Sequence, residues 1–585
     1  MLKILKYMRR KDWLLVLCST VFIVAQVFLD LKLPDYMADI TQLVETEGSK
    51  MGDVLSAGGW MLLCALGSLL SSVIVAVFAA RVAANFCKHL RELQYDQVGA
   101  FSMQEINSFS TASLITRSTN DITQVQMIIA MGLQAFIKAP ITAVWAITKI
   151  AGKGWQWTTA TAVAVLVLVF MISMIILFAI PKFKKIQGLT DNLNRVTREN
   201  LTGIRVVRAY NAESYQEDKF EKANTELTNT NLFANRMMAV MMPGMSAIMN
   251  GLSLSIYWIG TYLINSAGMT DKILLFSNMV VFMNYAMQVV MSFMMLSMIF
   301  IMLPRASVAA RRIAEVIETP PTILDGKRTE LPEGLKGEVE FRNVGFQYPG
   351  AADYVLKNIS FTAHQGETVA FIGSTGSGKS TLINLVPRFY DATEGQVLID
   401  GVDVRDYTLQ ALHNKFGYVP QRAVMFSGTV ASNVIYGDNG KTTPTQEDVR
   451  EAVEIAQSRD FVEEMPGGYE GTVAQGGTNL SGGQKQRLSI ARAVCRKPEI
   501  YVFDDSFSAL DYKTDRALRS ALKKKTERAT TLIVAQRIGT IMDADKIIVL
   551  DEGKVAGIGT HEELMKNCSV YQEIALSQLS KEELA

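Results

Sequence analysis

The 585-residue chain is too long for one domain, and its formal net charge of +1 leaves no electrostatic footprint for nucleic acid. Five cysteines (Cys18, Cys64, Cys87, Cys495, Cys568) show no C-x-x-C spacing, which argues against a zinc site and a disulfide framework. Long apolar runs fill the first half, whereas the second half has the composition of an ordinary soluble domain.

A bilayer core requires roughly 20 mostly apolar residues per helix. Six stretches meet that requirement: residues 13–33, 54–80, 127–150, 157–180, 239–264 and 273–303. Lys3, Lys6, Arg9, Arg10 and Lys11 precede a first run that is long enough to span and has no small-residue cleavage site after it, so no cleavable signal peptide is expected. Basic residues set the orientation. The N-terminal cluster starts the chain in the cytosol, and Asp35, Asp39, Glu45, Glu47 and Asp53 place the first loop outside. Arg81, Lys88 and Arg91 after the second run, and Lys182, Lys184, Lys185, Arg195 and Arg198 after the fourth, return the chain to the cytosol. Arg305, Arg311 and Arg312 leave everything after the sixth run there as well.

The polar segments between spans two and three, and between four and five, are far longer than ordinary loops and carry helical spacing such as Leu193 with Val196. They read as cytosolic extensions of the spanning helices, with tips at residues 113–121 and 199–205 that either dock on the second half or stay solvated. Met279, Met283, Met287, Met291, Met294, Met295, Met298 and Met302 recur at three- and four-residue steps in span six, and Met237, Met238, Met241, Met242, Met245 and Met249 crowd the start of span five. Such stripes suit either varied apolar ligands or helix and lipid packing. Lys138, well inside span three, faces a cavity or snorkels, whereas Asp30 and Lys32 read as interfacial.

A helical pattern over 306–318 ends at Thr319-Pro320-Pro321, because proline forbids continuation. The boundaries are therefore a transmembrane domain over 1–318, a linker over 319–336 and a second domain over 337–585, which opens on the alternating Gly337-Glu338-Val339-Glu340-Phe341. The apolar run Thr368-Val369-Ala370-Phe371-Ile372 feeds Gly373-Ser374-Thr375-Gly376-Ser377-Gly378-Lys379-Ser380-Thr381, followed by a helical pattern. This is a P-loop in its required strand–loop–helix setting. Backbone N–H groups and a helix N-terminus cradle phosphates, Lys379 reaches the β/γ-phosphates, and the Ser380 hydroxyl sits on Mg²⁺.

Leu480-Ser481-Gly482-Gly483-Gln484, lying between that P-loop and the apolar strand Ile500-Tyr501-Val502-Phe503-Asp504, resembles the signature of ABC transporter ATPase domains. Six spans before one such domain resemble an ABC exporter half-transporter. The fold implied is an all-α six-helix membrane domain fused to an α/β P-loop ABC ATPase domain. The resemblance assigns Tyr348 to stacking on adenine and Gln421 to the Q-loop that touches Mg²⁺. It makes Asp504 a holder of Mg²⁺ and Asp511 the end of the D-loop. It also implies a dimer, because a signature loop caps the P-loop of the opposite domain. The location implied is the bacterial plasma (inner) membrane, multi-pass, with N-terminus and ATPase domain cytoplasmic.

Two positions depart from the family pattern. Asp505 stands where the family has the Glu that polarises attacking water, and Gln536 stands where it has the switch His. Asp is one C–C bond shorter, about 1.5 Å, and about 1 Å of misplacement costs on the order of a hundredfold in rate. Gln536 donates a hydrogen bond but takes no proton. The site on this chain's own P-loop is expected to bind ATP and hydrolyse it slowly. An intact signature beside that weakened pair points to a different second half-transporter as partner, as in the degenerate-site subunits of bacterial heterodimeric multidrug exporters. The alternatives are a regulatory ATP-binding subunit whose partner supplies all hydrolysis, and an exporter of lipid or peptide rather than small apolar compounds. The absence of a peptidase-like domain before span one weakens peptide export with leader processing.

Overall fold

The computed structural model describes residues 2–46, 49–151, 154–329, 336–438, 440 and 443–578; linker residues 330–335 and the side chains of Lys184, Met298 and Arg305 lie outside the described residues. The chain divides into two compact units, Met1–Gly99 with Thr111–Thr319, and Ala100–Ser110 with Pro320–Ala585.

The first unit is all helical. Among the described residues, six helical stretches are long and apolar enough to cross a membrane: Arg10–Val44, Met51–Ala100, Thr111–Ile150, Trp155–Thr202, Glu213–Ser266 and Lys272–Ser297. The helix Met51–Ala100 has 50 residues and Trp155–Thr202 has 48. At 1.5 Å per residue, helices of that size are about two and a half times the hydrocarbon thickness, so both continue well past the apolar runs. Trp157 and Tyr285 are fully buried at the centre of the apolar core. The Trp157 indole packs 5.6 Å from Phe282 and donates to the Ile256 carbonyl at 3.2 Å. A Cβ on Gly260 would press against the Met279 sulfur, so any larger residue there requires Met279 to shift.

The methionines divide. Met245 and Met279 are core residues, whereas Met242, Met291 and Met295 are exposed. Lys138 pairs with Asp30 at 3.1 Å, and Ser68 donates to the same carboxylate. Further along the same two helices, Lys149 pairs with Asp35 at 2.7 Å, and the Tyr285 hydroxyl donates to Asp35 at 2.7 Å. Asp30 therefore serves as the counter-charge of Lys138.

The second unit carries a six-stranded sheet in the order Lys554–Gly559, Lys546–Asp551, Thr368–Gly373, Thr530–Val534, Ile500–Asp504, Phe416–Val419. All neighbours are parallel except the first pair. Ile500–Asp504 and Thr530–Val534 are buried along their whole length, as continuous apolar runs in a parallel sheet require. A second, antiparallel sheet runs Leu356–Ala363, Val339–Phe346, Glu394–Ile399, Val402–Asp403. Between the two, Lys415 is almost fully buried, with its ammonium 2.5 Å from Asp400 and 2.6 Å from Glu499.

The helix Met103–Phe109 belongs to this unit although its chain segment lies between spans two and three. Asn107 donates to the Tyr390 hydroxyl at 3.1 Å, and Ser102 lies 3.0 Å from the Thr322 hydroxyl. The docked element thus precedes the tip expected at 113–121. Ser102 and Glu105 form a capping box that starts a helix at 103, a signal present in the sequence. The segment Thr111–Ser118 instead stays in the first unit, where Arg117 meets Glu315 at 2.7 Å. The second expected tip is a helix break at Gly203 followed by Ile204–Ala209, with Leu201, Val206 and Tyr210 exposed.

Candidate nucleotide site

The parallel register sets the carboxyl ends of three strands side by side: Val534 lies opposite Asp504, and also opposite Phe371. The loops leaving those ends therefore converge, as open α/β sheets dictate. They carry Gly373–Lys379, Asp504–Asp505 and Gln536, residues separated by up to 163 positions in the chain.

Glycine is required at two points of the first loop. A Cβ on Gly373 would meet the Leu550 carbonyl and, at 2.7 Å, the Ser377 hydroxyl. Gly378 has φ of 95°, and a Cβ there would sit 2.7 Å from Leu356. The helix Lys379–Leu385 starts directly after it. Lys379 donates to the carbonyls of Gly373 at 2.9 Å and Ser374 at 2.8 Å, so its ammonium is folded back over the loop's own backbone. Burial pushes its pKa down, against the opposing pull of Asp505 and Asp504. Ser374, Thr375, Gly376, Ser377 and Thr381 complete the loop, and Thr381 Oγ1 lies 3.0 Å from the Tyr348 hydroxyl.

Ser380 donates to Asp504 Oδ1 at 2.9 Å. Burial raises the pKa of Asp504, and the Ser380 hydrogen bond opposes that rise. A hydroxyl and a carboxylate in contact are the hard oxygen donors that suit Mg²⁺, an ion that keeps waters and substrate phosphates as its remaining ligands. Among the described residues, no three His, Cys, Asp or Glu side chains come together so as to hold a metal ion by themselves. The residues fit Mg²⁺ bound together with a nucleotide.

The two departures from the family pattern touch each other. Gln536 Nε2 donates to Asp505 Oδ2 at 2.8 Å, and Gln421 Nε2 reaches the same oxygen at 3.4 Å. Asp505 sits at φ of 49°, a left-handed conformation that Asp tolerates better than most residues. Burial raises its pKa, and the bond from Gln421 opposes that shift.

Tyr348 is half-buried and braced edge-on by Phe346 (4.9 Å, 83°) and Tyr390 (5.4 Å, 89°). Tyr390 was not legible as part of the site, because one tyrosine between Phe389 and Asp391 carries no motif.

The signature residues form a separate surface. Ser481 caps the helix Gly482–Cys495: its hydroxyl accepts from Gln484 N, and Gln484 Oε1 accepts from Ser481 N at 2.8 Å. Ser481 and Gly482 are exposed, and Gly483 lies against the Ala509 carbonyl. Asp511 accepts from Thr514 N at 3.0 Å and caps the helix Tyr512–Thr526; that bond draws its pKa down. Among the described residues, no hydrogen bond or ion pair links Ser481–Gln484 with Gly373–Thr381.

A phosphate-binding loop, an acid pair at a strand end and six membrane-length helices on one chain define a membrane-embedded, ATP-binding transport protein. Residues 16–302 match the ABC transporter transmembrane region, and residues 356–508 match the ABC transporter ATPase family. An uncharacterized ABC transporter ATP-binding protein of Mycobacterium tuberculosis is 40% identical over 558 residues, covering 93% of each chain. YfiB of Bacillus subtilis, likewise an uncharacterized ABC transporter ATP-binding protein, is 35% identical over 518 residues, covering 88% of each chain. The ATP-dependent lipid A-core flippase of Pseudomonas fluorescens is 31% identical over 518 residues, covering 88% of this chain and 84% of that one. The structure of a bacterial Atm1-family ABC exporter with ATP bound superposes with a TM-score of 0.76 at 26% identity, covering 97% of this chain and 98% of that one. The chain belongs to the ABC transporter family and has the exporter half-transporter layout, a membrane domain fused to an ATPase domain. It is a multi-pass inner-membrane protein whose ATPase domain is cytoplasmic and drives transport with ATP.

Proposed function

We propose that this chain is one subunit of a heterodimeric exporter for apolar or amphipathic compounds, lipids among them, and that its own P-loop holds ATP as a clamp while hydrolysing it slowly. Lys379 and the loop N–H groups take the phosphates, Ser380, Gln421 and Asp504 take Mg²⁺, and Tyr348 takes the adenine. Ser481, Gly482, Gly483, Gln484 and Asp511 serve the partner's site.

The observation that carries the slow-site reading is the 2.8 Å bond from Gln536 to Asp505. In that arrangement the short carboxylate accepts from a neutral amide that can neither take a proton nor carry charge. A water held there lacks both the longer carboxylate and the titratable switch side chain of the family pattern. The lipid reading is favoured by the relatives from Aromatoleum aromaticum, Syntrophus aciditrophicus and Pseudomonas fluorescens that are named lipid A-core flippases. Exposed Met242, Met291 and Met295 offer the polarizable surface such cargo suits.

The test is vanadate trapping in the complex with a half-transporter that carries Glu and His at the two positions. ADP–vanadate is expected at the partner's P-loop and unhydrolysed ATP at Lys379. ADP–vanadate at both sites in equal amount overturns the proposal.

A further inference from the structure

The switch residue Gln536 reaches Asp505 only while its own backbone stays in place, and one side chain from far along the chain fixes that backbone. Gln578, the last residue of the helix Ser569–Gln578, donates from Nε2 to the Gln536 carbonyl at 2.7 Å. Its Oε1 accepts from the Ile538 N–H at 2.9 Å. The carboxamide thus pairs with the C=O of one residue and the N–H two residues on, as a neighbouring strand would. Ile538 opens the helix Ile538–Ile541, whose N-cap residue Arg537 provides no side-chain cap, so Gln578 satisfies a helix N–H that is otherwise unpaired. Between the two pinned residues, Arg537 donates to the Ser508 carbonyl at 3.3 Å, which ties the same loop to the segment after Asp505.

The anchor behind Gln578 is rigid. Tyr571 and Ala575, on the same helix, are fully buried against the core of the sheet. The Tyr571 hydroxyl is 2.8 Å from His561 Nδ1. Only glutamine supplies a donor and an acceptor at this reach: ionised Glu accepts only, and Asn is one methylene shorter.

We infer that Gln578 is a positioning residue for the switch loop, holding Gln536 so that its amide meets Asp505 and thereby coupling the C-terminal helix to the hydrolytic site. The kinetic part of its role rests on the slow-site reading above.

Two measurements on the full-length chain in nanodiscs test this. The first is hydrogen exchange over residues 535–541 in Gln578→Met, which keeps length and loses both bonds, and in Gln578→Glu, which sets a carboxylate against the Gln536 carbonyl. Exchange at Ile538 N–H is expected to rise about tenfold in Gln578→Met, the equivalent of one hydrogen bond, and to rise less in Gln578→Glu, whose carboxylate still accepts from Ile538 N–H, with the strand Thr530–Val534 unchanged in both. Unchanged exchange at Ile538 overturns the inference. The second introduces Gln578→Met into a chain carrying Asp505→Glu and Gln536→His. ATP turnover is expected to fall about tenfold with KM for ATP held within about twofold. Unaltered turnover, or a matching drop in unfolding temperature that marks a merely structural role, overturns it. If the Asp505→Glu, Gln536→His background itself gains no hydrolysis, the slow-site reading falls instead, and the exchange result alone decides the clamp.

Discussion

Restoring the two family residues at the hydrolytic site gives the sharpest mutational prediction. Asp505 Oδ2 is the shared acceptor of Gln536 and Gln421, at 2.8 and 3.4 Å. Asp505→Glu advances the carboxylate by about one C–C bond, 1.5 Å, into the space where a water attacks a γ-phosphate. A correction on that scale is worth on the order of a hundredfold in rate, or about 2.7 kcal/mol of barrier. Gln536→His adds a titratable, cationic partner. Because the two side chains are in contact, their effects are coupled by about 0.5–3 kcal/mol rather than additive. The assay is single-turnover hydrolysis of radiolabelled ATP by the full-length chain, as wild type, each single variant and the double variant. The double variant is expected to exceed the product of the single gains. A double variant within threefold of wild type refutes the reasoning and makes the partner's signature loop limiting.

Lys379→Ala removes the ammonium from the P-loop and is expected to abolish detectable ATP photolabelling of this chain while leaving its assembly with a partner intact. Lys415→Met strands Asp400 beside Glu499 in the interior; a loss of about 3–5 kcal/mol in stability is expected, read as the unfolding midpoint of the ATPase domain. Asp30→Ala leaves Lys138 without its counter-charge in the membrane unit. Each single variant, Asp30→Ala or Lys138→Ala, is expected to be less heat-stable in detergent than the double variant, and additive losses would show that the pair is not coupled.

The site was legible where chemistry demands a fixed local string. Gly373–Thr381 has one workable strand–loop–helix geometry, and Ser481–Gln484 caps a helix by a pattern visible in four letters. Membrane-length runs were legible because the bilayer sets their length, and the continuation of Met51–Ala100 and Trp155–Thr202 as helix past the apolar residues was legible in the helical spacing of the polar segments that follow. Contacts across long separations carried no signal. Lys138 meets Asp30 across 108 positions, Asn107 meets Tyr390 across 283, and Gln578 meets Gln536 across 42. The displaced first tip is different in kind. The Ser102–Glu105 box was readable, but the polar residues at 113–121 resembled a turn more strongly.

The most direct test of the slow-site account is ATP binding and steady-state hydrolysis by the same preparation of the purified chain without a partner. The account predicts saturable ATP binding that Lys379→Ala removes, together with turnover near background. Brisk, Lys379-dependent hydrolysis by the isolated chain would contradict it.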